Sequence, residues 1–274
     1  MPVRRKAAAA ALVLLLAGAA GCGGAAATPG PGPTPSTAAA SSALATPTDR
    51  SPHGILLSAQ LAMHDARRAK FRLPQQGADG MIFWAPKTGL RLNRPTTAEQ
   101  LIVLDTAAYL GGDPDAAARL GGRHWAKYGG PTGSKETPYA GLIDQLNPVV
   151  ALTAACSAEE PELVGEEQLQ DATVTHLRVT IGVAGYVAAQ TQLSAARRQA
   201  LSETLGADSG RVLTLDLWLN DKDQLVQLRR TGQAGSTAAT VAYSEIAGPL
   251  SLQAPAEADT LDRTGTAPPA LSGL

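Results

Sequence analysis

The chain has 274 residues, with 23 Lys and Arg against 24 Asp and Glu and a formal net charge of −1. So even a balance excludes the basic footprint of a nucleic-acid binder. Two cysteines, Cys22 and Cys156, are too few for a disulfide-stapled fold.

Arg4, Arg5 and Lys6 precede an apolar run over residues 7 to about 17. That order marks a secretory signal peptide, and the run falls short of the about 20 residues that a permanent transmembrane helix needs. It ends in Ala19-Ala20-Gly21-Cys22, small residues leading to a cysteine. This looks like a bacterial lipobox, with Ala19 where Leu is commoner. Residues 1–21 are expected to be removed, leaving Cys22 as an acylated N-terminus on the extracytoplasmic face of the cell membrane. An ordinary signal peptide with a chance cysteine is the alternative. Each buried CH₂ contributes about 0.8 kcal/mol and one myristoyl chain holds only marginally, so two or three chains make a lasting anchor.

Residues 23 to about 50 are almost wholly Ala, Pro, Thr, Ser and Gly. They are too poor in bulky apolar groups to offset chain entropy, so residues 22–50 read as a disordered tether averaging about 30 Å end to end. Residues 262–274 read as a disordered tail. Residues 51–261, roughly 210 in all, suffice for one core. The bias to Ala, Gly and Arg over Lys suits a high-GC, actinobacterial genome.

Within that core, residues 53–69 predict a helix with Ile55, Leu56, Ala59 and Met63 on one stripe. Short strands are expected at 81–84, 90–92, 101–104, 107–110 and 124–128, between Gly, Pro, Asn and Asp punctuation. Residues 138–146 predict a short helix presenting Tyr139, Leu142, Ile143 and Leu146 on one face, and 148–156 a second. Over 173–183, Thr175, Leu177, Val179, Ile181 and Val183 alternate with Val174, His176, Arg178 and Thr180, the pattern of a half-buried antiparallel strand. Residues 191–205 predict an amphipathic helix, capped by Thr191 or Ser194 and stopped at Gly206. Leu213, Leu215, Leu217 and Leu219 then face one way and Thr214, Asp216 and Trp218 the other. Segments 225–230 and 237–246 complete a meander. The fold class is α+β: a large curved antiparallel sheet, a half-barrel, wrapped over a few helices.

Chemical motifs are sparse. Asn220-Asp221-Lys222-Asp223 spaces carboxylates as a calcium loop does, but between two strand patterns it reads as a hairpin turn. His53, His64, His124 and His176 lack zinc-ligand spacing. No nucleophile elbow or phosphate-binding loop appears. His176 is expected at the surface and His124 in a turn or at an edge. Cys156 reads as a small buried side chain, with a reactive or intermolecularly paired thiol as the alternative. No enzyme, metal or cofactor site is expected.

Several segments together resemble a known family. They are Leu101-Ile102-Val103-Leu104-Asp105 with Tyr109-Leu110, Gly122-Arg123-His124-Trp125-Ala126-Lys127, and residues 139–152 with Leu142-Ile143-Asp144 and Asn147-Pro148. Val164-Gly165-Glu166, Thr175-His176-Leu177-Arg178-Val179, Leu215-Asp216-Leu217-Trp218-Leu219-Asn220 and Gln224-Leu225-Val226 extend the pattern. Over residues 53–256 this resembles the LppX/LprG lipoproteins and, more distantly, the LolA-like carriers. The resemblance implies a half-barrel with an apolar cavity that holds acyl chains and moves them through the envelope. It implies a lipid or acylated ligand, leaves room for an envelope protein partner, and brings no catalytic residues or cofactor. By strand and helix alternation, the expected pocket residues are Ile55, Ala59, Met63, Leu142, Leu146, Leu177, Val179, Ile181, Leu215 and Leu217. The stretch from Gly111 to Gly122 is an addition expected to alter the pocket rim. The same fold without cargo would serve as a sensing or interaction module, and an exposed aromatic patch including Trp84 and Trp218 would favour that reading.

Overall fold

The first described helix, α1 (Pro52–Ala66), starts where the sequence supplies a cap. Ser51 Oγ accepts from the Gly54 N–H at 3.1 Å, and Pro52 occupies the first turn. It stops three residues before the expected end, because Arg67 turns left-handed at φ 64° and its N–H returns to the Met63 carbonyl. Ile55, Leu56, Ala59, Met63 and Ala66 form its buried face. The computed structural model describes residues 49–129, 137–209, 212–232 and 239–271. The expected signal peptide, Cys22 and nearly all of the tether lie outside the described residues.

Strands β1 (Arg68–Leu73), β2 (Ala78–Phe83), β3 (Gly89–Arg94), β4 (Glu99–Leu104) and β5 (Ala107–Gly111) follow as a meander. A four-residue helix, α2 (Ala116–Arg119), occupies the added stretch before β6 (Trp125–Gly129). Next come α3 (Ala140–Leu146) and α4 (Pro148–Cys156). They are followed by β7 (Glu162–Leu169), β8 (Ala172–Gly182), α5 (Val183–Ala188) and α6 (Ala195–Ser209). The chain closes with β9 (Val212–Leu219), β10 (Leu225–Thr231), β11 (Ala239–Ser244) and the short β12 (Thr260–Asp262).

All twelve described strands join one sheet, in the order β12-β6-β5-β4-β3-β2-β1-β11-β10-β9-β8-β7. Two meanders, β1–β6 and β7–β11, are fused where Lys70, Phe71 and Arg72 pair with Ser244, Tyr243 and Ala242. The sheet is antiparallel except at its edge, where β12 runs parallel to β6; the all-antiparallel expectation is corrected there. The α+β class stands, as a large open sheet covered on one face by helices.

Period-two alternation decides what faces those helices. Leu177, Val179 and Ile181 of β8 pair with Leu217, Leu215 and Leu213 of β9, and all six lie in one core cluster. Ile82, Leu92, Leu101 and Val103 of the first meander join the same cluster. Against them pack α1 and α4, the latter buried along Pro148, Val150, Ala151, Leu152, Ala154 and Ala155. Hydrogen bonds from inward-facing polar groups fix the helices. Tyr243 Oη donates to the Leu146 carbonyl, and Gln190 Nε2 donates to the Val150 carbonyl.

The segment after Asp262, expected as a disordered tail, returns to the sheet edge. Arg263 N–H donates to the Lys127 carbonyl and Gly265 N–H to that of Gly129. Leu271 packs against the core. These contacts are backbone bonds made by a Thr-, Gly- and Pro-rich segment, which composition does not display. Residues 220–223 form the expected β9–β10 turn, with Asn220 Oδ1 accepting from the Lys222 and Gln224 N–H groups.

Candidate functional site

Helix α3 is short and lies against α6 for a local reason. Gly141 has no side chain, and a Cβ there would come within 2.9 Å of Thr204 Oγ1. Thr204 itself donates back to the Ala200 carbonyl. Ser194 Oγ caps α6 by accepting from the Arg197 N–H. Leu201 and Leu205 of α6 point into the core. That leaves Ala196, Ala200 and Thr204 on the outer side of the helix, facing Tyr139, Ala140 and Leu142.

Between these two faces lies a groove of about 890 Å³. Small and apolar groups form most of its wall, and Leu142, half-buried, reaches from it to the core. At one side Tyr139, in the left-handed region at φ 57°, donates its hydroxyl to the Pro269 carbonyl at 2.8 Å. Burial pushes its phenol up to about 12. At the other, Arg197 grips Asp144 through Nε (3.0 Å) and Nη2. Asp144 has no exposed surface. Its burial raises the carboxyl above the ordinary range in spite of the guanidinium.

The ten expected pocket residues fall into two groups. Ile55, Ala59, Met63, Leu146, Leu177, Val179, Ile181, Leu215 and Leu217 belong to the core cluster beneath the sheet. Leu142 lines the α3–α6 groove. Ile181 lines a second cavity of about 660 Å³ between the end of α4, β8 and α5, whose other walls include Ser157, Ala158 and Gly185. The added stretch around α2 borders a third cavity, of about 320 Å³, where Asp113 binds Arg119 at 2.8 Å. Alternation could place side chains on the inner face, but the α3–α6 contact depends on a glycine and two alanines that no hydrophobic pattern emphasises.

The opposite sheet face carries a polar network that sequence reasoning missed. His176, expected at the surface, is buried and stacks on Trp218 with ring centroids 4.5 Å apart. Its Nδ1 lies 2.6 Å from Glu167 and its Nε2 3.0 Å from Asp216. Trp218 Nε1 donates to Glu167 at 2.8 Å, and the Arg229 guanidinium covers the ring at 5.5 Å. Arg178 and Arg229 both bind Asp216. Neither candidate for an exposed aromatic patch supplies one: Trp218 is covered by its neighbours, and Trp84 donates Nε1 to the Met63 carbonyl and packs on the core. His124 is exposed and bound to Asp259. Among the described residues, no three His, Cys, Asp or Glu side chains gather to hold a metal.

No family model matches the chain. A 31.2 kDa protein of Streptomyces griseus, named for its position between rplA and rplJ, is 29% identical over 156 residues, covering 53% of this chain and 50% of the relative. A Streptomyces coelicolor protein named as a candidate lipoprotein is 29% identical over 180 residues, covering 61% and 52%. The chain thus spans about half the length of the curated relatives it matches. Among solved structures, the chain is similar to LprF from Mycobacterium bovis, with a TM-score of 0.48 and 14% identity, over 75% of this chain and 97% of that one. It is also similar to the Mycobacterium tuberculosis lipoprotein LppX, with a TM-score of 0.46 and 12% identity, over 75% and 100%.

Proposed function

We propose that the chain is an exported lipoprotein, anchored by acylated Cys22. It takes the acyl part of a lipid or acylated molecule between α3 and α6, and carries or presents it in the cell envelope. The observation that carries this reading is the α3–α6 groove. Its volume of about 890 Å³ falls in the range of about 300–1,000 Å³ usual for small-molecule sites. Its wall is mostly hydrocarbon, and Leu142 joins it to the core, so an acyl chain entering there would exchange water for apolar contact. The Lys/Arg-led apolar segment ending at Cys22 supports export and anchoring. The candidate-lipoprotein name of the Streptomyces coelicolor relative agrees with it. With both tryptophans turned into packed positions, an interaction module loses the aromatic patch that would have favoured it.

A groove-filling variant tests the reading. Ala196 lines the groove from an exposed position, so Ala196→Trp should change stability by less than about 0.5 kcal/mol. Full-length protein carrying it should bind a fluorescent acyl probe at least tenfold more weakly than wild type. Equal binding by both proteins would remove the groove from the account.

A further inference from the structure

The outer side of α1 carries the two most exposed large apolar side chains among the described residues, Leu57 at 52% and Leu61 at 66%. They stand four residues apart, so they share one ridge of the helix. The ridge cannot turn inward. Ile55, Leu56, Ala59 and Met63 hold the opposite side in the core. On one flank Gln60 Nε2 donates to Thr153 of α4 at 2.8 Å, and His53 Nε2 lies 3.1 Å from the Ala158 carbonyl. On the other, Ser58 Oγ donates to Asp223 of the β9–β10 turn at 2.6 Å. The two leucines sit between these ties and point away from the sheet. The other exposed large apolar groups, Leu163, Val164 and Val212, are less exposed and belong to β7 and β9.

Two leucines alone would be ordinary on a protein surface. What selects this ridge is where the chain enters the domain. Arg50 Nη1 binds Asp223 at 3.0 Å, Asp49 accepts from the Ser51 N–H at 2.9 Å, and Ser51 caps α1. The segment leading from Cys22 therefore ends at the first turn of α1. Leu57 and Leu61 lie about 9 and 15 Å further along the helix axis, at about 1.5 Å per residue. An anchor at Cys22 would hold that ridge beside lipid at high effective concentration, where a small apolar contact suffices. A dimer interface needs about 800 Å² from each partner, much more than two leucines provide. Charge does not oppose contact with lipid, since Arg50 is bound to Asp223 and His64 lies 3.6 Å from Asp65.

We propose that this face of α1 docks on the lipid surface in which Cys22 is anchored, with Leu57 and Leu61 entering the headgroup region. This rests on the acylated-anchor reading above and adds an orientation to it. Docking through α1 turns the helical layer, and the α3–α6 groove set in it, to the lipid side. The polar face of the sheet, around His176, Arg178 and Arg229, turns to water.

The test uses the mature acylated chain in dioleoyl phosphatidylcholine vesicles, at about one chain per vesicle. A nitrobenzoxadiazole label is placed at Asp65→Cys, exposed one turn beyond Leu61, or at Asp171→Cys in the β7–β8 turn, in each case with Cys156→Ala. Spin-labelled phosphatidylcholine should quench the first label at least threefold more than the second. Leu57→Gln with Leu61→Gln should bring the first down to the level of the second, while the protein still floats with the vesicles and keeps its melting temperature. Both leucines are exposed, so the fold does not depend on them. Equal quenching at both positions, or quenching unchanged by the double substitution, overturns the docking and leaves the anchor and groove readings in place. Chains that pair as their number per vesicle rises, through contacts that the double substitution abolishes, overturn it in favour of a second copy on this face. Protein that does not float with the vesicles overturns the anchor, and this proposal with it.

Discussion

Burial raises both Asp216 and Cys156, yet the two end on opposite sides of their ordinary values. Burial pushes the Asp216 carboxyl up, but bonds from Arg229, Arg178 and His176 outweigh it and hold the group below its ordinary 3.8. A depressed carboxylate stabilises the fold above the unfolded value, and that contribution is lost as pH falls through the lower folded one. Wild type should therefore lose stability more steeply than Asp216→Asn on acidification below about pH 4, read as melting temperature against pH. At neutral pH the variant should cost about 2 kcal/mol, less than the about 3–5 of a fully buried pair, because Arg178 and Arg229 are about two-fifths exposed. Cys156 has only burial acting on it, which raises its thiol from 9.0 to about 11. Two units leave about a hundredfold less thiolate at pH 8, so iodoacetamide should label Cys156 about a hundredfold more slowly in the folded chain than in urea. The same shift favours the folded state below pH 9.0 and is given up as the thiol ionises towards about 11. His176 was not legible as a buried residue. Alternation assigns a face, and on that face Trp218, Glu167 and Arg229 supply the cover from three other strands.

Elements were legible where one rule dominated. The apolar stripe of Ile55, Leu56, Ala59 and Met63 announces α1, whereas its Ser51 cap and Pro52 start emerge only in the structure. Strands β8 and β9 follow from alternation. Strand β7 escaped because it is an edge: Glu162, Glu166 and Glu167 keep both its faces polar, as edge strands require. Helix α5 escaped because Val183-Ala184-Gly185-Tyr186 continues the β-branched run of β8, and only packing against α4 and α6 decides for helix. Strand β1 escaped because Arg67 breaks the helix without glycine or proline. The α3–α6 contact offers the sharpest test at this scale. A side chain at position 141 would drive against Thr204, so Gly141→Leu should destabilise the fold by about 1–3 kcal/mol, measured by urea unfolding. It should also weaken acyl-probe binding, since α3 would move off the groove.

For the whole molecule, the half-barrel follows from two meanders whose inner faces share one hydrophobic cluster. The sequence pattern carried that architecture, because β8 and β9 alternate, β4 holds a continuous apolar run, and the helices between the meanders need an apolar surface to cover. It did not carry the place where the helical layer opens. That depends on small residues at 141, 196 and 200, and on the pairing of part-buried Arg197 with buried Asp144, both of which look like ordinary surface residues in the sequence. We propose that this opening holds an acyl ligand in the envelope. The most direct test is mass spectrometry of lipids extracted from the full-length protein purified from the membranes of its own host. About one acyl-bearing molecule per chain is expected, reduced at least tenfold in Ala196→Trp. Lipid no more abundant than in an unrelated lipoprotein purified in parallel would contradict it.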